Sequence, residues 1–113
     1  MKIVHTDHNN VSVVSHEYED GFETAGHVYG FTHGDTPIGK LNFQLGPVKQ
    51  VGVNGVQTEG VLAALIDRTK VLNEAFPCEE NVSAIWHLEQ ALICLNERTA
   101  KRQARGVEGL AKP

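Results

Sequence analysis

Long apolar runs, paired cysteines and a general surplus of basic residues are all missing from this sequence. No stretch approaches the roughly 20 apolar residues that cross a bilayer, so we predict no contact with a membrane. The two cysteines, Cys78 and Cys94, form no CxxC motif, and the segment MKIVHTDHNN turns polar after Val4, unlike a signal peptide. We therefore predict a cytoplasmic protein with two free thiols, both buried in helices.

Positive charge is scarce except at one end of the sequence. The net charge is −4, yet the residues from Arg98 onward carry five basic side chains against the single acid Glu108, which gives that stretch +4 and the rest −8. A protein that binds duplex DNA usually presents a broad basic face, so we expect no nucleic-acid polymer as partner. A local basic cluster better suits one small anion such as a phosphate.

Familiar catalytic and metal-binding motifs are also absent. The six histidines show no HxxxH or His/Cys spacing on one element, so we predict no metal site and no cofactor. The serines lie outside any GxSxG frame, and Glu79 and Glu80 fit the start of a helix, where carboxylates favour the dipole. We predict no catalytic residue; an enzyme that hydrolyses a nucleotide messenger and an oligomeric nucleic-acid-binding module remain the alternatives.

The 113 residues suit a single domain, 1–113, whose first part, 1–53, has the pattern of an antiparallel sheet. Short β-branched or alternating segments separated by turn residues predict four or five strands. The predicted segments are Lys2–Thr6, Val11–Ser15, Ala25–His33, Gly39–Leu45 and, as one further candidate, Val48–Val53. The polar stretch His16–Thr24 reads as a loop or a weak edge strand.

The second part, 54–113, changes to helical periodicity. Asn54 is a candidate helix cap with Gln57 at the capping-box position, and Pro77 stops the first helix. A second helix is predicted from Cys78 to Gly109. Its apolar stripe consists of Val82, Ile85, Leu88, Leu92 and Leu95. Two helices joined by a short link form an antiparallel hairpin, so the predicted fold class is α+β: a small N-terminal antiparallel sheet followed by a C-terminal antiparallel helical hairpin.

The end of the second helix carries the best candidate site. Arg98, Arg102 and Arg105 are four and three residues apart, so they stack on one side of a helix. The simple interpretation is that cations at a helix C-terminus meet the dipole and stay solvated, which applies most to Lys101 and Arg105. Arg98 and Arg102 present two planar forks on one face, an arrangement that suits a diphosphate.

Three stretches then resemble a known family: LGPVKQVGVNGVQTEGVLAALIDR, FPCEENVSAIWHLEQAL and NERTAKRQARGVEG. Together they are similar to the phage Thoeris anti-defence sponge proteins, whose helical hairpin is shared with the phage anti-CBASS sponges. The resemblance covers about the last 65 residues and implies a dimer or a hexamer in the cytoplasm of an infected bacterium. It implies a protein that sequesters the cyclic ADP-ribose signal of Thoeris defence without cleaving it. Some relatives also bind cyclic di- or trinucleotides at separate sites.

The resemblance also implies ligand-binding residues. Asn81 matches a ligand-contacting asparagine, and Arg98 and Arg102 match paired phosphate-binding arginines. Ten residues before Asn81, where the family has an aromatic residue that stacks on adenine, this sequence has Val71. Weaker ligand-binding candidates in the first helix and the turn before it are Asn54, Gln57 and Arg68.

The spacing of these candidates predicts an oligomer. Asn81 and Arg98 are 17 residues apart, about 25 Å along one helix. A ligand of dinucleotide size does not span that distance comfortably, so both residues touch one ligand only if they come from two chains packed antiparallel. Apolar residues spread around the second helix support a homo-oligomer, commonly of C₂ symmetry.

Overall fold

The computed structural model describes all 113 residues, and these form two compact units, Met1–Val56 and Gln57–Pro113. The first unit is an antiparallel sheet and the second is a pair of helices. The predicted fold class, an N-terminal antiparallel sheet followed by a C-terminal helical hairpin, is therefore confirmed. The boundary falls three residues after the predicted one at 53, and the single-domain interpretation stays a prediction.

Six strands build the first unit. They are β1 (Lys2–Thr6), β2 (Val11–Ser15), β3 (Tyr18–Glu19), β4 (Phe22–Glu23), β5 (Val28–His33) and β6 (Thr36–Asn42). Strands β1, β2, β5 and β6 form one antiparallel sheet in that order, while β3 and β4 pair separately. The bounds of β1 and β2 are those predicted from their β-branched residues.

The stretch from His16 to Thr24, predicted as a loop or a weak edge strand, is a miniature hairpin in which β3 pairs with β4. Asp20 and Gly21 both have positive φ, which is the requirement of a tight two-residue hairpin turn. The hydroxyl of Thr24 donates to the carbonyl of His16, and the Thr24 N–H donates to Glu17 O at 2.8 Å. These bonds return the chain to β5, where Val28 is the buried apolar residue of this unit.

The prediction of a further strand at Val48–Val53 is wrong, because Val48–Val51 form a single helical turn, α1. The carbonyl of Pro47 accepts hydrogen bonds from Gln50 N at 3.0 Å and Val51 N at 2.9 Å, which close that turn. The strand propensity of valine is overridden because the segment lies inside a loop whose ends are tied together. Phe43 and Val56 close the loop in a parallel bridge.

Two amide side chains tie this loop across. Gln44 Nε2 donates to Gly52 O at 2.8 Å, and its Oε1 accepts from Asn54 N at 2.9 Å. Asn54 in turn accepts from Leu45 N at 2.8 Å and donates to Leu45 O at 2.7 Å. The prediction that Asn54 caps the following helix is therefore wrong, because both ends of its amide are bound to Leu45.

The second unit contains α2 (Thr58–Ala75) and α3 (Glu79–Ala104). Gln57 is the N-cap of α2 but makes no capping hydrogen bond through its side chain, so the predicted capping box is not formed. At α3 the cap is Cys78, whose Sγ accepts from Asn81 N at 3.4 Å. Glu79 and Glu80 lie in the first turn of α3, where their charge favours the helix dipole.

Helix α3 is shorter than predicted, since it ends at Ala104 and not at Gly109. Gly106 has a φ of +72°, a left-handed conformation that ends a helix and suits glycine. Four of the five predicted stripe residues are half-buried, but Val82 is 59% exposed, and Ile66 of α2 is the buried apolar residue of this unit. The prediction that both thiols are buried is wrong, because Cys78 and Cys94 are exposed.

None of the helices has the length and the apolar character that crossing a membrane requires.

Candidate functional site

A recess of about 610 Å³ follows the last turns of α3. Its lining consists of Cys94, Glu97, Arg98, Lys101, Ala104 and Arg105. Steps of four, three and four residues place Cys94, Arg98, Lys101 and Arg105 on one side of the helix. All the lining comes from α3 and its C-cap, so one chain supplies a single wall of this recess.

The recess has an excess of positive charge. Arg98, Lys101 and Arg105 contribute three cations against the one carboxylate of Glu97, and none of the three forms an ion pair. Arg98 and Lys101 are exposed, so their donors are free for a ligand. A multiply charged anion is the chemical group that such a cluster binds best, through charge-assisted hydrogen bonds.

Arg102 has a different environment from the other basic residues. It is only 7% exposed, and its Nε donates to Glu108 Oε2 at 2.9 Å. Its Nη2 donates to Val107 O at 2.9 Å and to Leu110 O at 3.0 Å, and its Nη1 donates to Lys112 O. Four of the five guanidinium N–H groups are thereby used within the chain, which leaves one for any other partner.

The residues that surround Arg102 form a strap, defined as residues 106–113. Gly106 and Gly109 both have positive φ, and the turn is closed by Val107 N donating to Arg102 O at 3.0 Å. Arg105 adds a second tie, since its Nη2 donates to Pro113 O at 2.8 Å. The strap thus folds back on the end of α3 and is held there by two arginine side chains.

Asn81 lies at the opposite end of α3. Its Nδ2 donates weakly to Phe76 O at 3.4 Å, and its side-chain oxygen accepts no hydrogen bond within the chain. Because α3 is continuous from Glu79 to Ala104, the separation of about 25 Å between Asn81 and Arg98 holds within one chain. The structure therefore does not bring these two predicted ligand contacts together in one copy.

A second recess lies beside the start of α3. It has a volume of about 580 Å³ and a mostly apolar lining of Pro77, Cys78, Glu79, Val82, Ser83 and Trp86. Trp86 is 57% exposed and meets the ring of His87 edge to face at 5.0 Å between centroids. Neither Asn81 nor Val71 belongs to this lining, although Val71 is 56% exposed on α2.

The remaining candidates are dispersed. Asn54 belongs to the sheet unit and clamps Leu45, as described above. Gln57 is exposed at the start of α2, and Arg68 is exposed further along the same helix without an ion pair. The structure brings none of these three into the recess lined by Arg98.

The sequence predicts an anion site at Arg98 and Arg102 and leaves Lys101 and Arg105 open between that site and solvated cations at a helix end. It predicts Cys94 as a buried thiol and not as part of the site. The spacing of 94, 98, 101 and 105 is a regular helical stripe, and this signal could have grouped them. The hydrogen bonds of Arg102 have no corresponding pattern in the sequence, because most of its partners are main-chain carbonyls of a turn without regular spacing.

Comparison with known proteins gives two matches. A family model described as "Acb2/Tad1, hairpin domain" matches residues 39–100. The chain is also similar to the protein named "Thoeris anti-defense 1" of Bacillus phage SBSphiJ7, with 51% identity over 73 residues. Those residues make up 64% of this chain and 51% of that protein, so the chain spans about half the length of the curated relative that it matches.

Proposed function

The chain belongs to the family of the Acb2/Tad1 hairpin domain, and on that premise we propose that it is a phage protein that counteracts Thoeris defence in the infected cell. The relative's name refers to the same activity. We further propose that it acts as a sponge: it binds the cyclic ADP-ribose signal of that defence and does not cleave it. The signal is then withheld from the effector that it would activate.

The observation that carries this proposal is the unpaired basic recess on α3. Arg98 and Lys101 offer free donors there, and the pyrophosphate of a cyclic ADP-ribose provides several anionic oxygens for them. Arg98 and Arg102 are the two contacts that both the spacing and the family resemblance select. A cyclic ADP-ribose whose diphosphate is held by such donors, and whose rings are buried between two chains, is compatible with nanomolar binding, about −12 kcal/mol.

We propose that the site is completed by a second copy of the chain. One copy presents Arg98 and Asn81 about 25 Å apart, and an antiparallel partner helix would bring its own Asn81 end beside Arg98. Val82, Trp86 and Ile93 remain 59%, 57% and 48% exposed, at steps of four and seven residues on one side of α3. An exposed apolar stripe of this kind is what a partner helix covers.

The position ten residues before Asn81 holds Val71, which cannot stack on a base as an aromatic ring does. Trp86 is the exposed aromatic residue of α3 and lines an apolar recess of about 580 Å³. We propose Trp86 as the candidate that packs against a ligand ring or against the partner helix. Cyclic di- and trinucleotides are proposed as ligands of a separate site that includes Arg68.

Calorimetry tests the ligand proposal directly. We expect tight binding of at least one isomer from a panel of cyclic ADP-ribose isomers, and recovery of intact ligand after the protein is denatured. Linear ADP-ribose in the recovered material would instead support the alternative of a hydrolase, for which Cys94 and Glu97 lie in the recess. A gel shift with duplex DNA at low salt would support the nucleic-acid-binding alternative.

Substitution of Arg98 tests the site. Arg98→Ala should weaken binding of the cyclic ADP-ribose by about 10- to 100-fold, because charge-assisted hydrogen bonds are lost, while the oligomeric state stays unchanged. Arg68→Ala is the matched control: it removes the same charge from α2, outside the recess. It should leave this affinity unchanged and weaken only the cyclic oligonucleotides. Equal affinity of Arg98→Ala and the unmodified protein would contradict the assignment of Arg98.

A further inference from the structure

The strap, residues 106–113, is held by Arg105, which lines the basic recess, and by Arg102, which is buried beside the strap and does not line the recess. Arg105 lines the recess and also donates to Pro113 O at 2.8 Å. Arg102 follows Arg98 by one helical turn and donates four hydrogen bonds into the strap. Every side-chain tie of the strap to the helix described above therefore comes from an arginine whose usual strong partner is an anion.

We propose that the strap binds Arg102 and Arg105 in place of an anion, and that an anionic ligand competes with the strap for these two side chains. This inference rests on the proposed function only for the identity of the natural ligand. Binding of a diphosphate would exchange the Glu108 carboxylate and the strap carbonyls for phosphate oxygens. The strap would then leave the end of α3.

The character of the ties favours such an exchange. Of the oxygens that Arg102 binds, only those of Glu108 carry a charge, and this side chain is 36% exposed. The other partners are neutral carbonyls of Val107, Leu110 and Lys112. A diphosphate supplies two or more negative charges in bidentate geometry, which is the stronger partner for a guanidinium. Arg98 and Lys101 are free and add to its attraction.

Competition of this kind is reciprocal. If the ligand displaces the strap, then a change that weakens the strap and leaves the ligand contacts intact must increase the affinity for the ligand, by at most the factor by which the strap is weakened. The apparent affinity equals the intrinsic affinity multiplied by the fraction of molecules in which the strap is open. Weakening the strap is therefore expected to increase the affinity. A purely structural strap predicts the opposite, because its loss would disorder the arginines and weaken binding.

Hydrogen exchange of two amides reports the state of the strap. Val107 N donates to Arg102 O at 3.0 Å and Leu110 N donates to Val107 O at 3.1 Å. Inorganic pyrophosphate and the cyclic ADP-ribose isomers are added separately, each against sodium chloride of equal ionic strength. We expect both amides to lose protection as ligand saturates the site. Retained protection of both at saturation would overturn the proposal.

Glu108→Gln tests the sign of the coupling. The substitution removes the one charged oxygen that Arg102 binds, so pyrophosphate should bind about three- to tenfold more tightly. Glu74→Gln on α2 removes the same charge from an exposed residue without an ion pair, and should leave the affinity unchanged. Unchanged or weaker binding by Glu108→Gln would contradict the proposal.

Gly109→Ala provides an independent variant, because it strains the strap without touching an arginine. Its φ of +79° disfavours a side chain, so the strap should open more often and pyrophosphate should bind roughly fivefold more tightly. If cyclic ADP-ribose binds while the two amides stay protected, the strap proposal fails and the proposed function stands. If pyrophosphate binds and releases the strap but no cyclic ADP-ribose binds, the strap proposal stands and the proposed function fails.

Discussion

Asp7 organises the turn between β1 and β2 through its carboxylate. Oδ1 accepts from Asn9 N at 2.8 Å and from Val11 N at 3.0 Å. These two backbone N–H groups, Val11 first, hold the pKa of the Asp7 carboxyl below its ordinary value of 3.8. The carboxylate is therefore preferred in the folded turn, and its protonation disfavours that turn.

The stability of the hairpin should depend on pH in a defined direction. Since the folded pKa of Asp7 is lowered, its contribution is present above pH 3.8 and is lost as the pH falls from there through the folded pKa. Asp7→Asn should reduce the free energy of unfolding at neutral pH. It should also make that free energy fall less steeply as the pH is lowered into the acid range, here called the acid limb. Urea unfolding followed by circular dichroism at several pH values measures both effects.

Asp35→Asn is the control for this experiment. It makes the same substitution in the turn between β5 and β6, where the carboxylate accepts no hydrogen bond from the backbone. Its acid limb should follow that of the unmodified protein. An acid limb of Asp7→Asn as steep as that of the unmodified protein would assign the pH dependence to other carboxylates.

The loop between β6 and α2 depends on close approach of two backbone segments. Gln44 N donates to Val56 O and Val56 N donates to Asn42 O, each at 2.9 Å. A Cβ on Gly55 would lie 2.5 Å from the carbonyl carbon of Phe43 and 2.7 Å from Asn42 O. These are main-chain atoms that cannot rotate away, so only glycine fits.

Two glycine substitutions should change stability in opposite directions. Gly55→Ala should destabilise the protein by about 2–4 kcal/mol, because the loop must open to admit the methyl group. Gly60→Ala lies in α2 with nothing within 4 Å of the added Cβ, and should stabilise it by about 0.5–1 kcal/mol. Urea unfolding measures both changes. A loss of stability in Gly60→Ala would contradict the conclusion that the added methyl group meets open space.

Much of the apolar surface of the whole molecule is uncovered in a single copy. The first unit buries one apolar residue, Val28, and the second unit buries Ile66, while large apolar side chains of both units remain exposed. Those on α3 include Val82 and Trp86, on the side proposed to meet a partner helix. A chain of this size that exposes so much apolar surface is expected to associate.

Val82→Glu should shift the proposed oligomer toward monomer by at least about tenfold in the dissociation constant, because it places a charge in an apolar contact. Val4→Glu is the matched control, since Val4 is 54% exposed on β1 and Val82 is 59% exposed on α3. Sedimentation over a range of concentrations gives the result. Association of Val82→Glu equal to that of the unmodified protein would exclude this face as the contact.

Local pattern alone determined the types and order of the main elements and the basic cluster on α3. Strands β1 and β2 have the predicted bounds, because β-branched runs bounded by turn residues are a signal carried by neighbouring residues. The spacing of Arg98 and Lys101 on α3 is equally local. Family membership follows from the same kind of information, since it is a match along the sequence.

Only the tertiary structure decided what Asn54, Val48–Val51 and Arg102 do. Asn54 binds Leu45 and so closes a loop in which the valines form a helical turn, and no periodicity encodes such a long-range clamp. Arg102 has the spacing of a surface cation but is 7% exposed and bound to the strap. Spacing sets the side of a helix on which a residue lies; the fold of the following residues determines whether that side is free.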